Sequence, residues 1–162
     1  MNENKNTDTK EALTGEPFSS GLPLYKAKRT DNGEWVEGYI IRYGFTGKEK
    51  WYIVPHYASD LYAFEINMET ACRYIYMDKN SRKIWEHDII KYHFGNETAE
   101  IKYGAYQSCF DSAKTRHIGF FVDWVDDVNL RKDLGYWTDM VECEIIGNSI
   151  DNPELIKERK YK

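Results

Sequence analysis

With 162 residues, 41% of them hydrophobic and 15% aromatic, the chain has material for one folded domain with a real core, or for two very small ones. No run approaches the roughly 18 consecutive apolar residues of a membrane span, and residues 1–10 are polar, without the apolar centre of a signal peptide, so a cytoplasmic protein with no membrane partner is expected. A formal charge of -5 and a pI of about 5.4 also argue against the broad basic footprint of most nucleic-acid binders.

The excess charge is local. Residues 123–144 hold seven carboxylates (Asp123, Asp126, Asp127, Asp133, Asp139, Glu142 and Glu144) against Arg131 and Lys132. Cys72, Cys109 and Cys143 are odd in number and widely spaced, which fits neither a disulfide framework nor a structural zinc site.

Residues 1–22 are rich in Asn, Thr, Glu, Ser and Gly and are expected to form a loose polar tail. From Tyr25 onward, aromatic and β-branched residues arrive in short bursts broken by Gly, Asn and Asp, the rhythm of strands and turns. Residues 34–43 (EWVEGYIIRY), with a bend or bulge at Gly38, and residues 51–54 after the turn-like Thr46-Gly47-Lys48 predict a hairpin. Residues 67–76 are ambiguous, since Met68, Cys72 and Ile75 fit a helical spacing in a segment short enough to be irregular. Ile90, Tyr92 and Phe94, then Gly95-Asn96, then Ala99, Ile101 and Tyr103 predict two strands joined by a tight turn.

Phe120, Val122 and Trp124 alternate in the same way, as do Val141, Cys143 and Ile145. Between them, residues 126–139 are expected to project from the sheet as a polar excursion. Asp151-Asn152-Pro153-Glu154 predicts a short C-terminal helix, capped by Asn152 or Asp151 and ending in the basic run 157–162.

Residues 77–88 (MDKNSRKIWEHD) read as a turn leading into a strand, with Asp88 expected to accept backbone N–H groups from that turn. DKNSRKIWEHDIIKY resembles the D-K-N-G-K-x-I-(Y/F)-E-G-D-I-V pattern of the YopX-like family, proteins found chiefly in phages and integrated prophages. YKAKRTDNGEWVEGYI (residues 25–40) is similar to that family's opening, and CEIIGNSIDNPELI (143–156) to its closing I-G-N-x-x-(E/D)-N-P-E-L. The departures fall at glycines, with Ser81 and His87 where the family pattern has Gly. Either Asn80 takes the left-handed conformation in place of a glycine at the next position, or the turn differs in type.

The resemblance implies a mostly β fold with a small SH3-like barrel in the C-terminal part, preceded by a coiled β-sheet region. On that basis residues 23–76 form an N-terminal sheet region and residues 77–162 the barrel region with its terminal helix. The resemblance brings no catalytic, cofactor-binding or metal-binding residue to carry over.

The residues themselves offer weak catalytic candidates. Cys109, Asp111 and His117 have the types of a nucleophile, an orienter and a base, but spacing shows neither a stabilised thiolate nor hydrogen-bond reach. His87 and His93 stand about 20 Å apart in an extended strand, too far to share a metal with Asp88. Residues 123–139 lack the ligand alternation and glycine of a calcium loop.

Five tryptophans exceed what a small core needs, so some are expected at the surface. The resulting expectation is a non-enzymatic accessory protein without cofactor, binding a host or phage protein and self-associating through a surface that includes Trp35, Trp51, Trp137, Lys48 and Lys50. The alternative is nucleic-acid binding through the basic residues between Lys26 and Lys50, assisted by aromatic stacking.

Overall fold

The computed structural model describes residues 22–56, 62–94, 97–112, 114–124 and 130–156. Within them lie β1 (Tyr25–Arg29), β2 (Trp35–Tyr43), β3 (Lys50–Pro55), β4 (Phe64–Met77), β5 (Lys83–Trp85), β6 (Asp88–Lys91), β7 (Thr98–Tyr106), β8 (His117–Trp124) and β9 (Glu144–Asn148). A π-helical turn at Tyr136–Met140 and a 3-10 turn at Pro153–Leu155 complete the described elements. The fold is mostly β, as the short aromatic and β-branched bursts between turn residues predict. The expected tail up to residue 21, the Gly95-Asn96 turn and the basic run 157–162 lie outside the described residues.

The N-terminal sheet closes on itself. β1 pairs with β2, β2 with β3, β3 with β4, and β4 returns to β1, every pair antiparallel. Closure leaves Ala27, Val36, Ile53 and Ile66 facing inward as one buried cluster. The predicted β2–β3 hairpin is present, but Gly38 is not a bulge. It pairs with Tyr25 on one side and Pro55 on the other, and a Cβ there would lie 2.0 Å from the Val54 carbonyl oxygen. Only glycine lets the two backbones approach this closely.

Residues 67–76, ambiguous in sequence, belong to the long strand β4. Thr70, Cys72 and Tyr74 are buried while Ala71, Arg73 and Ile75 are less so, a two-residue period that outweighs the helical spacing of Met68, Cys72 and Ile75. The strand bulges where it passes β1: Lys26 faces Cys72 while Lys28 faces Asn67. Its far end pairs with β5 and carries the chain to the second sheet.

That sheet has four strands in the order β8-β7-β6-β9. Its core gathers Ile90, Ala99, Ile101, Val122, Trp124 and Cys143, and Ile84 of β5 reaches into the same cluster. Burying each large apolar side chain of this kind contributes about 1.5–3 kcal/mol. β9 starts at Glu144, so Val141 precedes it, beyond the π-helical turn, instead of opening the strand.

The expected acidic excursion does not project along its described part. Residues 130–140 fold back, with a bridge between Phe121 and Asp133, and bury Leu134, Trp137 and Thr138. Two apolar side chains in a polar segment decide this. The indole N–H groups of Trp124 and Trp137 both donate to the Arg131 carbonyl, at 3.1 and 2.8 Å, which pins the return.

The expected C-terminal helix is, within the described residues, a single 3-10 turn. Asn152 precedes it without a side-chain cap, and Asp151 is engaged elsewhere, by Lys28 and Trp35. Gly147 admits the turn: a Cβ there would stand 2.5 Å from Asn152 Oδ1.

Candidate functional site

Three stretches distant in sequence meet where the two sheets join. The first brings Lys26 and Lys28 on β1 with Trp35 and Glu37 on β2, the second brings Trp85 at the end of β5, Glu86, and Asp88 at the start of β6, and the third, after β9, brings Asp151. Lys26 Nζ donates to Asp88 Oδ1 at 3.2 Å and lies 5.3 and 5.1 Å from the ring centroids of Trp35 and Trp85. Asp88 Oδ2 accepts the Trp85 N–H at 2.9 Å, the structural role its position predicts. Burial pushes the Asp88 carboxyl above its ordinary range, outweighing the attraction of Lys26 and the hydrogen bond from Trp85.

The rest of the seam is equally satisfied. Trp35 Nε1 donates to Asp151 Oδ2 at 2.8 Å, and Lys28 pairs with the same carboxylate. Lys83 pairs with Glu37, and Arg73 holds Glu86 with two bonds of 2.7 and 3.0 Å. Cys72 lies in the apolar cluster beneath, its thiol pushed up to about 12 by burial. With Lys26 and Asp88 side chains 14% and 5% exposed, this ion pair is largely out of solvent and forms a clasp between the sheets.

Residues 77–88 lead into this clasp through two left-handed residues. Ser81 has φ of 61° and His87 of 71°, so both side-chain-bearing residues adopt the conformation glycine takes most easily. Asn80 does not take it in their place. Asp78 shapes the first turn, its Oδ1 accepting the N–H groups of Asn80 and Arg82 at 2.9 and 2.8 Å. Burial opposes ionisation of Asp78, but the Arg82 backbone and guanidinium and the Asn80 N–H hold its carboxyl below the usual range. At the second, His87 Nδ1 bonds Glu100 Oε1 at 2.7 Å, and Ser149 donates to the same oxygen at 2.8 Å.

The sequence profile of the family described as YopX protein matches residues 25–157, a span that opens on β1 and contains all three converging stretches. The chain belongs to the YopX protein family. Neither a curated protein nor a solved structure matches it.

In this YopX-family chain the expected binding residues do not gather on one face. Trp137 is 4% exposed and belongs to the second core, where it meets Trp124 edge-on with centroids 4.6 Å apart, so it is no part of a surface. Trp35 is committed to the seam. Trp51 packs half-buried against the first core on the opposite face of β2–β3, with Arg42 beside its ring. Lys48 is exposed, and Lys50 is held by Glu65 at 2.7 Å.

What the end of the β2–β3 hairpin does present is apolar. Ile41, Tyr43 and Phe45 are 46%, 73% and 89% exposed, with Tyr52 directly opposite Ile41. Register explains the row: Ile41 and Tyr43 continue the face of Trp35 and Tyr39 beyond the cluster of Leu24, Cys72, Tyr74 and Trp85 against which those two pack. The alternation of residues 34–43 carried this signal, but sequence could not show where cover ends.

The basic residues between Lys26 and Lys50 are largely neutralised. Lys26 meets Asp88, Lys28 meets Asp151, Arg29 meets Asp31 at 2.5 Å, and Lys50 meets Glu65. The catalytic candidates separate too. His117 Nε2 and Asp111 Oδ2 are 3.0 Å apart, yet exposed Cys109 hydrogen-bonds to neither. His93 donates to the Glu142 carbonyl at 2.6 Å, while His87 turns to Glu100. Among the described residues no group of three or more His, Cys, Asp or Glu is placed to hold a metal ion. Among them, too, no helix is long and apolar enough to cross a membrane.

Proposed function

We propose that this YopX-family protein is a phage- or prophage-derived accessory protein that acts without catalysis, by binding, and that it self-associates through the end of the β2–β3 hairpin. The observation that carries this reading is the exposed row Ile41, Tyr43 and Phe45 at the hairpin end. Leaving such a row in water is unfavourable, and a second copy covering it recovers that free energy. Lys48 and Lys50 stand beside Glu49 and Glu65 on the same end, so two copies related by a two-fold axis can match opposite charges around the apolar centre.

Two finer readings accompany this one. The second sheet, with β5 packed into its core and residue 133 bridged to β8, is taken as a small SH3-like barrel. Three cysteines outside any disulfide suit a reducing cytoplasm. The test is light scattering after size-exclusion chromatography across a wide concentration range. A species heavier than 19.2 kDa is expected, reverting to monomer in Tyr43→Ser/Phe45→Ser. A wild-type chain that stays monomeric throughout, or a double variant with unchanged mass, refutes self-association at this end.

A further inference from the structure

The far end of the β7–β8 hairpin carries a feature of opposite chemistry, on residues separate from the self-association row. An open cleft of about 630 Å³ is lined by Tyr106, Gln107, Lys114, Thr115, Arg116 and Lys132. Three of these side chains are cations and none is a carboxylate, in a chain whose formal charge is -5.

The neighbouring acids are already engaged. Asp111 accepts the Ser108 N–H at 2.7 Å and faces His117 at 3.0 Å, while Asp133 takes Ser108 Oγ at 3.3 Å and Arg131 Nε at 3.1 Å. Asp123 is bound by Lys102 at 2.9 Å and stands 4.0 Å from Lys132. Among the described residues, neither Lys114 nor Arg116 has a carboxylate partner, and both are exposed where they line the cleft.

The wall is held in shape before any ligand arrives. Gln107 Nε2 donates to the Ser112 carbonyl at 2.7 Å, Thr115 N–H donates to the same carbonyl at 2.9 Å, and the Ser112 and Thr115 hydroxyls are 3.0 Å apart. Tyr106 stacks on His117 and on Phe121, each with ring centroids 5.1 Å apart, which fixes the base of the cleft. A preformed recess with the guanidinium of Arg116 and the ammonium of Lys114, both without a carboxylate partner among the described residues, and Lys132 shared with Asp123 at its edge, suits a multiply charged anion better than a single carboxylate. Its volume falls within the roughly 300–1,000 Å³ of small-molecule sites.

We propose that this cleft binds phosphate groups of a nucleotide-sized ligand. The tyrosine ring is occupied by its protein neighbours, so recognition runs through the phosphates and not through base stacking on Tyr106. The same chemistry is offered by a free nucleotide and by the backbone of a single strand, and the probes separate them.

Titration calorimetry at low ionic strength, with inorganic pyrophosphate, ATP and a short oligothymidylate as probes, tests the proposal. At least one probe is expected to bind, more weakly as salt rises, with affinity falling about tenfold for each of Arg116→Gln and Lys132→Gln. Lys48→Gln, on the other hairpin, is expected to leave binding unchanged. Binding of pyrophosphate or ATP without the oligonucleotide supports a free nucleotide, and binding of the oligonucleotide alone supports a strand backbone. Heat from none of the three, or binding that survives Arg116→Gln/Lys132→Gln in a variant of unchanged thermal stability, overturns the proposal.

Discussion

Ser81→Gly is expected to stabilise the protein, whereas His87→Gly is not, although both residues sit at positive φ, 61° and 71°. A left-handed conformation costs a residue with a Cβ about 1–2 kcal/mol, and glycine relieves that while adding about 0.5–1 kcal/mol of unfolded-chain entropy. Ser81 is exposed, and its backbone N–H bond to the Asp78 carbonyl, 2.9 Å, survives the change. The net gain is about 0.5–1 kcal/mol, or roughly 1–4 °C in Tm for a chain of this size.

At His87 the backbone relief is the same, but the substitution deletes the 2.7 Å bond to Glu100. Glu100, 8% exposed, then keeps only Ser149 and Lys102 among its side-chain partners. A hydrogen bond to a charged group contributes about 1.5–3 kcal/mol, less here because the imidazole is partly solvated. The result is a net loss of up to about 1.5 kcal/mol.

That loss depends on pH with a definite sign. The hydrogen bond it donates to Glu100 raises His87 above its ordinary 6.5, so its stabilisation is complete below that value and fades as pH climbs through the folded pKa. Burial opposes the ionised Glu100, but bonds from His87, Ser149 and Lys102 hold it under its ordinary 4.5. Its contribution is therefore present above 4.5 and fades as pH falls through the folded pKa. Urea unfolding of wild type, Ser81→Gly, Ser81→Ala and His87→Gly at about pH 6 and pH 9 measures both effects. Ser81→Gly no more stable than wild type, or a His87→Gly deficit equal at the two pH values, refutes the reasoning.

Other changes probe the clasp and the cores. Lys26→Met leaves Asp88 buried without its cation and is expected to cost about 3 kcal/mol, part of which Asp88→Asn in the same chain restores; additive losses in a double-mutant cycle would deny the coupling. Gly38→Ala drives a Cβ into the Val54 carbonyl and should destabilise by about 3 kcal/mol or more, visible as a drop in the urea midpoint; an unchanged midpoint would mean that β2 and β3 are not this close. In native protein at about pH 8, iodoacetamide should modify exposed Cys109 first. Burial pushes Cys72 up to about 12 and Cys143 up to about 11, so mass spectrometry should find those two modified only after denaturation.

Local pattern carried most of the strands. Alternation at Ala99, Ile101 and Tyr103 and at Phe120, Val122 and Trp124 located β7 and β8, because a side-chain period of two is a property of one strand and needs no partner. The same logic placed Asp88 correctly, since its acceptor role is served by a backbone N–H three residues away. The two atypical positions, Ser81 and His87, were also legible, because a missing glycine in a turn is a statement about φ.

What pairwise distance decides was not legible. That Lys26 lies between Trp35 and Trp85 depends on contacts spanning up to about sixty residues, which no periodicity encodes. Whether Trp137 is surface or core, and whether residues 130–140 project or return, turned on Leu134 and Trp137 reaching the second core, where the Arg131 carbonyl receives two indole N–H groups. Lys132 joins Lys114 and Arg116 in one cleft only because the chain after β8 folds back along that strand, bridged at Phe121 and Asp133. In residues 77–88, then, sequence settled the lineage, the turn and its two strained residues. Folding alone made them one side of a clasp, because an ion pair held between two rings exists only once both sheets have formed.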